Sequence, residues 1–81
     1  MDITNLTHMA NRIGQFFEAM PDQQEAGKEV AAHLRKFWEP RMRRELLAHL
    51  DANAGEGLLP IVKNAVIAHR TSLEPPVHSA G

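Results

Sequence analysis

The chain has 81 residues, with nine lysines and arginines against ten aspartates and glutamates, five histidines and no cysteine. A chain this short forms one domain and buries only about 60–65% of the surface that its unfolded form exposes. Because disulfides and thiolate metal sites are excluded, we expect a partner protein to supply part of the stability. The formal net charge of −1 argues against a general nucleic-acid or anionic-membrane binder, since such proteins need a domain-wide basic excess.

Targeting signals are the next feature to consider. The sequence has no apolar run of about 18 residues, and no basic-then-apolar leader follows Met1. We therefore expect a cytoplasmic protein that neither spans nor binds a membrane.

The first predicted helix is the strongest periodic segment of the chain. Its apolar residues recur every three or four positions and are Ile3, Leu6, Met9, Ala10, Ile13, Phe16, Phe17 and Met20. Asp2 or Thr4 caps its start, and Pro21 ends it because a proline disfavours helical geometry in the preceding residue. Gly14 costs about 1 kcal/mol relative to alanine inside a helix, so we expect another helix to approach closely there.

The second predicted helix starts with Asp22 and Glu25, which form a pattern resembling a capping box. Its apolar positions fit the helical period and are Ala26, Val30, Ala31, Leu34, Phe37 and Trp38. Pro40 lacks a backbone N–H and restricts the residue before it, so this helix is expected to stop near Trp38. A third helix then begins at Pro40, since proline is favoured in a first turn.

The third predicted helix points four apolar residues inward, namely Met42, Leu46, Leu47 and Leu50. It is expected to end around Asn53, Gly55 or Gly57, which tolerate a left-handed C-terminal cap. A fourth helix starts near Pro60 and runs to about His69. Because it is apolar on almost every side, we expect it to be buried, either centrally in the bundle or partly against another protein.

After Arg70 the composition changes, because residues 71–81 contain the consecutive prolines Pro75 and Pro76. Two prolines in a row favour an extended course over a helix. The segment is either disordered or threads along a partner through Leu73 and Val77. The sequence therefore predicts an all-α bundle of three to four short helices over residues 1–70, followed by an extended or disordered tail over residues 71–81.

A candidate contact surface lies where the second helix meets the third. Tryptophan and arginine are enriched among binding hot spots, and a proline fixes the angle at which such residues are presented. The predicted partner-binding residues are Phe37, Trp38, Pro40, Arg41, Arg43 and Arg44. Six of the nine basic residues fall between positions 28 and 44. The alternative is a solvated basic face interlaced with ion pairs between successive helical turns.

Side chains suited to catalysis are scarce. The chain has no tyrosine, its only serines are Ser72 and Ser79, and no two histidines stand at the spacing of helical metal ligands. We therefore expect no catalytic, cofactor-binding or metal-binding residue. Two other interpretations of the basic segment are open. One is an arginine-lined helical pocket for a dicarboxylate, built from Arg35, Arg41, Arg43 and Arg44, and the other is a DNA-binding helix-turn-helix.

Three stretches of the sequence resemble a known family. They are Asn5-Leu6-Thr7-His8-Met9-Ala10-Asn11, Ile13-Gly14-Gln15-Phe16-Phe17-Glu18-Ala19-Met20-Pro21 and His33-Leu34-Arg35-Lys36-Phe37-Trp38-Glu39-Pro40-Arg41-Met42-Arg43-Arg44. The family is the small delta subunit of soluble, NAD-dependent, molybdenum-containing formate dehydrogenases of bacteria. The resemblance spans roughly residues 3–70.

The resemblance implies a non-catalytic subunit of a hetero-oligomer that interconverts formate and carbon dioxide with NAD. It further implies that the partner is the catalytic alpha subunit, and that the accessory chain supports assembly or stability. Molybdenum cofactor, iron–sulfur clusters and FMN are expected in other subunits, with none in this chain. The alternative function is a small helical DNA-binding or regulatory interaction module.

Overall fold

The computed structural model describes residues 2–75. Within this range the chain forms helices and no strand, which confirms the predicted all-α bundle. The helices are α1 (Ile3–Phe17), α2 (Gln23–Phe37), α3 (Pro40–Asn53), α4 (Pro60–Ala68) and α5 (Arg70–Leu73). None of these helices combines the length and the apolar character that crossing a bilayer requires.

Side-chain caps and prolines set the starts of the long helices. The backbone N–H of Thr4 donates to Oδ1 of Asp2 at 3.0 Å, so Asp2 caps α1. Oδ1 of Asp22 accepts from the first turn of α2 at 3.0 and 3.3 Å. Pro40 and Pro60 open α3 and α4, where the missing N–H costs no hydrogen bond.

The ends of the helices differ more from expectation. Helix α1 stops at Phe17, three residues before Met20, and the N–H of Met20 donates to the carbonyl of Phe17 at 3.0 Å in a turn. Helix α3 ends at Asn53 as predicted, but the left-handed cap is Ala54, with φ of 54°. An alanine in this conformation costs roughly 1–2 kcal/mol, which a glycine avoids.

Helix α4 lies centrally in the bundle, which is one of the two placements expected for it. It packs most extensively against α2 and also contacts α1 and α5. Its buried residues are Ile61, Val62, Ala65 and Val66. The remaining core residues come from the other helices and include Leu6, Val30, Leu34, Leu46 and Leu73.

The close approach expected at Gly14 is found where α1 crosses α4. A Cβ atom added to Gly14 would lie 2.5 Å from Cγ2 of Val62 and 3.1 Å from Cγ2 of Ile61. The absence of a side chain on Gly14 therefore determines how near the two helices lie.

The loop between α3 and α4 is fastened by two polar side chains. Asn11 donates from Nδ2 to the carbonyl of Gly57 and accepts from the N–H of Leu59, both at 2.8 Å. Nε2 of His49 donates to the carbonyl of Glu56 at 2.7 Å. Sequence analysis assigned neither side chain this role, because each hydrogen bond depends on where the chain returns in space.

The C-terminal segment, predicted to be extended or disordered, begins with the short helix α5. Thr71, Ser72 and Leu73 are helical, and Leu73 is only 1% exposed in the core. The helical part therefore ends three residues beyond the predicted boundary at Arg70, and Leu73 is not available to a partner. A single leucine gives no periodic signal, so the sequence could not assign it to the core. Val77 and the predicted tail from residue 76 onward lie outside the described residues.

Candidate partner-binding surface

The corner between α2 and α3 consists of two residues with extended backbone, Trp38 and Glu39. The N–H of Trp38 donates to the carbonyl of Leu34 at 3.0 Å, and the N–H of Arg43 donates to that of Glu39 at 3.1 Å. Together with the fixed φ of Pro40, these hydrogen bonds set the direction in which α3 leaves α2.

Trp38 lies on the inner side of this corner. It is only 6% exposed and belongs to the hydrophobic core, which corrects its assignment to the contact surface. Its position on the apolar face of α2 had pointed to the core, whereas its neighbouring arginines had pointed to a surface. Burial of so large a ring contributes strongly to a small core, so the periodic pattern was the better guide.

The outer side of the corner carries the other predicted contact residues. Phe37 is 64% exposed, and Pro40, Arg41 and Arg44 are also exposed. Their binding to a partner stays a prediction.

Arg43 differs from the other two arginines of the corner because it is half-buried. Its Nη1 donates to the carbonyl of Leu73 at 3.4 Å, which links α3 to α5. Its buried Nε finds no acceptor among residues 2–75. Arg43 is therefore partly a structural residue, and its replacement would disturb the fold as well as the surface.

Ion pairs do not interlace the basic segment as the alternative interpretation required. Among residues 2–75 the one arginine or lysine that forms an ion pair is Arg70, which contacts Asp51 at 2.7 Å and Glu74 at 3.1 Å. The contact between Arg70 and Asp51 is bidentate, because Nη1 and Nη2 of Arg70 each donate to one oxygen of the carboxylate. These hydrogen bonds hold the pKa of Asp51 below its ordinary value and raise the pKa of Arg70. Within residues 2–75, no ion pair or hydrogen bond occupies the guanidinium groups of Arg41 and Arg44.

A row of aromatic rings runs from the end of α1 to the end of α2, beside the corner. Phe16 and Phe17 meet edge to face at 4.9 Å between centroids, Phe17 lies 6.4 Å from His33, and His33 lies 4.6 Å from Phe37. Nζ of Lys36 lies 5.6 Å from the Phe37 centroid, within range of a cation–π contact. Phe16 is 77% exposed. We call the four rings of Phe16, Phe17, His33 and Phe37, together with Lys36 beside them, the aromatic row.

The helical period placed Phe16 and Phe17 together on one face of α1, and no pattern assigned His33 a role. Successive helical residues are separated by about 100°, so one of two adjacent phenylalanines can face away from the core. The adjacent buried pair Ile61 and Val62 shows that this signal is not decisive, and the sequence did not identify Phe16 as a surface residue.

The arginine-lined pocket considered from the sequence is only half assembled. Arg35 and Arg43 line one groove, whereas Arg41 and Arg44 do not. No group of three or more histidine, aspartate or glutamate side chains in residues 2–75 is arranged to hold a metal ion.

These features define a small all-α domain with exposed aromatic and cationic side chains around one helical corner. The profile of the family described as NADH-dependant formate dehydrogenase delta subunit FdsD matches residues 5–66, and the chain belongs to this family. The match confirms the resemblance found in the sequence and covers α2, α3 and most of α1 and α4. No curated protein and no solved structure matches the chain significantly.

Proposed function

We propose that this chain is a non-catalytic accessory subunit of an NAD-dependent, molybdenum-containing formate dehydrogenase. It binds the catalytic alpha subunit and supports assembly or stability of the complex in the cytoplasm. The observation that carries this proposal is the family match over residues 5–66. In the same proposal the molybdenum cofactor, the iron–sulfur clusters and FMN are held by other subunits.

The exposed aromatic side chains support a docking role. Phe16 and Phe37 stand out among the described residues as large apolar side chains that face solvent. Aromatic rings at the centre of an interface and arginines beside them are the residue types that contribute most to protein association. We therefore place the contact on the aromatic row and on the outer side of the corner, at Pro40, Arg41 and Arg44.

The two exposed arginines of the corner, Arg41 and Arg44, are expected to form hydrogen bonds with acceptor groups on the partner. A guanidinium group forms two parallel hydrogen bonds with a carboxylate and also binds carbonyl oxygens. Formate is a carboxylate too, but a site for its chemistry must exclude water, whereas Arg41 and Arg44 lie open on a surface. Their proposed role is recognition of protein and not of substrate.

The test uses the complete formate dehydrogenase complex with two double variants of this chain, Phe16→Ala/Phe37→Ala and Arg41→Ala/Arg44→Ala. Each should lower the yield of assembled, molybdenum-loaded complex, measured by co-purification and metal analysis. The enzyme that does assemble should keep its KM for formate. Ile67→Ala is the matched control, since Ile67 is an exposed apolar residue of α4 that lies outside the aromatic row.

Two results would overturn the proposal. A normal yield of loaded enzyme with a large rise in KM for formate would move the chain into the active site. A normal yield with normal KM from both double variants would exclude this surface as the docking site.

A further inference from the structure

A basic groove lies between α2 and α5, away from the exposed arginines of the corner. Its volume is about 760 Å³. The charged and titratable side chains that line it are Lys28, Arg35, Lys36, Arg43, His69 and Glu74. The single carboxylate, Glu74, already accepts from Nε of Arg70 at 3.1 Å. The groove therefore has a large excess of positive charge on a chain whose formal net charge is −1.

Three cations of this groove, Lys28, Arg35 and Lys36, lie on α2, and Arg43 lies on α3. Lys28 and Arg35 are two helical turns apart, which separates them by about 10 Å along the helix axis. Between them the groove is lined by Ala31 and Ala32, whose small side chains leave room for a ligand. A ligand with two negative groups about 10 Å apart matches this spacing along the helix.

Arg43 contributes a cation whose hydrogen bonding is incomplete. Its link to the carbonyl of Leu73 is long, at 3.4 Å, and its buried Nε has no acceptor in the described part of the chain. A buried donor without an acceptor is destabilising, and more so when the group is charged. The groove is therefore lined by an arginine whose hydrogen bonding the described part of the chain leaves incomplete.

We propose that this groove binds an acidic segment of another polypeptide, with carboxylates spaced to meet Lys28 and Arg35. The spacing of Lys28 and Arg35 favours a chain of carboxylates over a compact phosphate compound. The groove is also large enough for a ligand far bigger than one ion. The inference does not depend on the proposed function, because binding is a property of this chain alone.

The direct test is fluorescence anisotropy with the full chain and a labelled short peptide in which glutamate alternates with serine. The glutamate peptide should bind at low ionic strength and weaken as sodium chloride is raised, because salt screens exposed charges. A peptide with glutamine in place of glutamate should not bind.

Two double variants test the location. Lys28→Gln/Arg35→Gln should weaken binding about tenfold, since two charge-assisted contacts are lost. Arg12→Gln/Lys63→Gln removes the same net charge at residues that do not line the groove, and it should change affinity less than about twofold. Far-UV circular dichroism establishes that both variants fold.

Three results would overturn the proposal. Failure of the glutamate peptide to bind would exclude the site, and equal weakening by both double variants would reduce the interaction to net charge. Displacement of the labelled peptide by pyrophosphate at lower concentrations than the unlabelled glutamate peptide needs would assign the groove to a small phosphate ligand. None of these outcomes bears on the yield of the formate dehydrogenase complex, so the two proposals fail separately.

Discussion

The crossing of α1 over α4 depends on Gly14, whereas the corner between α2 and α3 depends on Pro40. The two places differ in which side chains they leave exposed to solvent. At the crossing, Gly14 lets Val62 approach closely, so that packing leaves no free surface. At the corner, Pro40 directs α3 so that Trp38 faces the core while its neighbour Phe37 faces solvent. The buried ring and the ring of the proposed docking surface are thus separated between adjacent residues of one short segment, and this separation can be tested.

The largest expected effect comes from the inner side of the corner. Trp38→Ala should lower the free energy of unfolding by about 3–5 kcal/mol, because it leaves a cavity where a large ring was buried. Small domains are stable by only about 5–15 kcal/mol in total. Phe37→Ala is the matched control and should cost less than about 1 kcal/mol, since most of its ring is already in water. Urea denaturation followed by circular dichroism measures both, and equal losses would contradict the separation.

The second effect concerns the crossing. Gly14→Ala should destabilise the chain by about 1–2 kcal/mol, because the added Cβ meets a branched and stiff valine, and the overpacking exceeds the gain in helix propensity. Val62→Ala removes the methyl group that is met and should relieve part of the loss in a double-mutant cycle. A Gly14→Ala variant more stable than the parent chain would show that the helices can move apart freely.

A smaller effect of opposite sign is expected at another helical glycine. A Cβ added to Gly27 would lie 3.8 Å from Cβ of Ala65, which is an ordinary contact distance. Gly27→Ala should therefore raise the free energy of unfolding by about 0.5–1 kcal/mol through helix propensity alone. Chemical denaturation compares it directly with Gly14→Ala. Stabilisation by both substitutions would mean that helix propensity, and not the close approach at Gly14, governs the pair.

The smallest effect comes from the exposed ion pair that joins α3 to α5. The hydrogen bonds from Arg70 keep the pKa of Asp51 below its ordinary value of 3.8. A lowered pKa in the folded state stabilises the fold above the unfolded pKa, and this contribution is lost as the pH falls through the folded value. Asp51→Asn should therefore lower the melting temperature slightly at neutral pH. The difference from the parent chain should shrink below about pH 4. A difference that stays constant with pH would exclude the charge as its cause.

Local chemistry let the sequence determine much of the helical framework. Asp22 and Pro40 act on the backbone within one turn of themselves, so the starts of α2 and α3 were predicted correctly. The apolar composition of α4 required burial, and Gly14 inside an apolar helical face required a close neighbour. The family could also be recognised from the sequence, because the residues that carry the resemblance form contiguous stretches.

Only the tertiary structure decided which side chains face solvent at the ends of the helices. Trp38, Phe37 and Phe16 are all apolar and lie near helix ends, and only the packing of the neighbouring helices showed which of them are covered. The burial of Leu73 and the meeting of Arg35 with Arg43 in one groove depend on how α5 returns against α2 and α3. Such contacts join residues far apart in the chain, so the packing of the whole bundle determines them and no local pattern does.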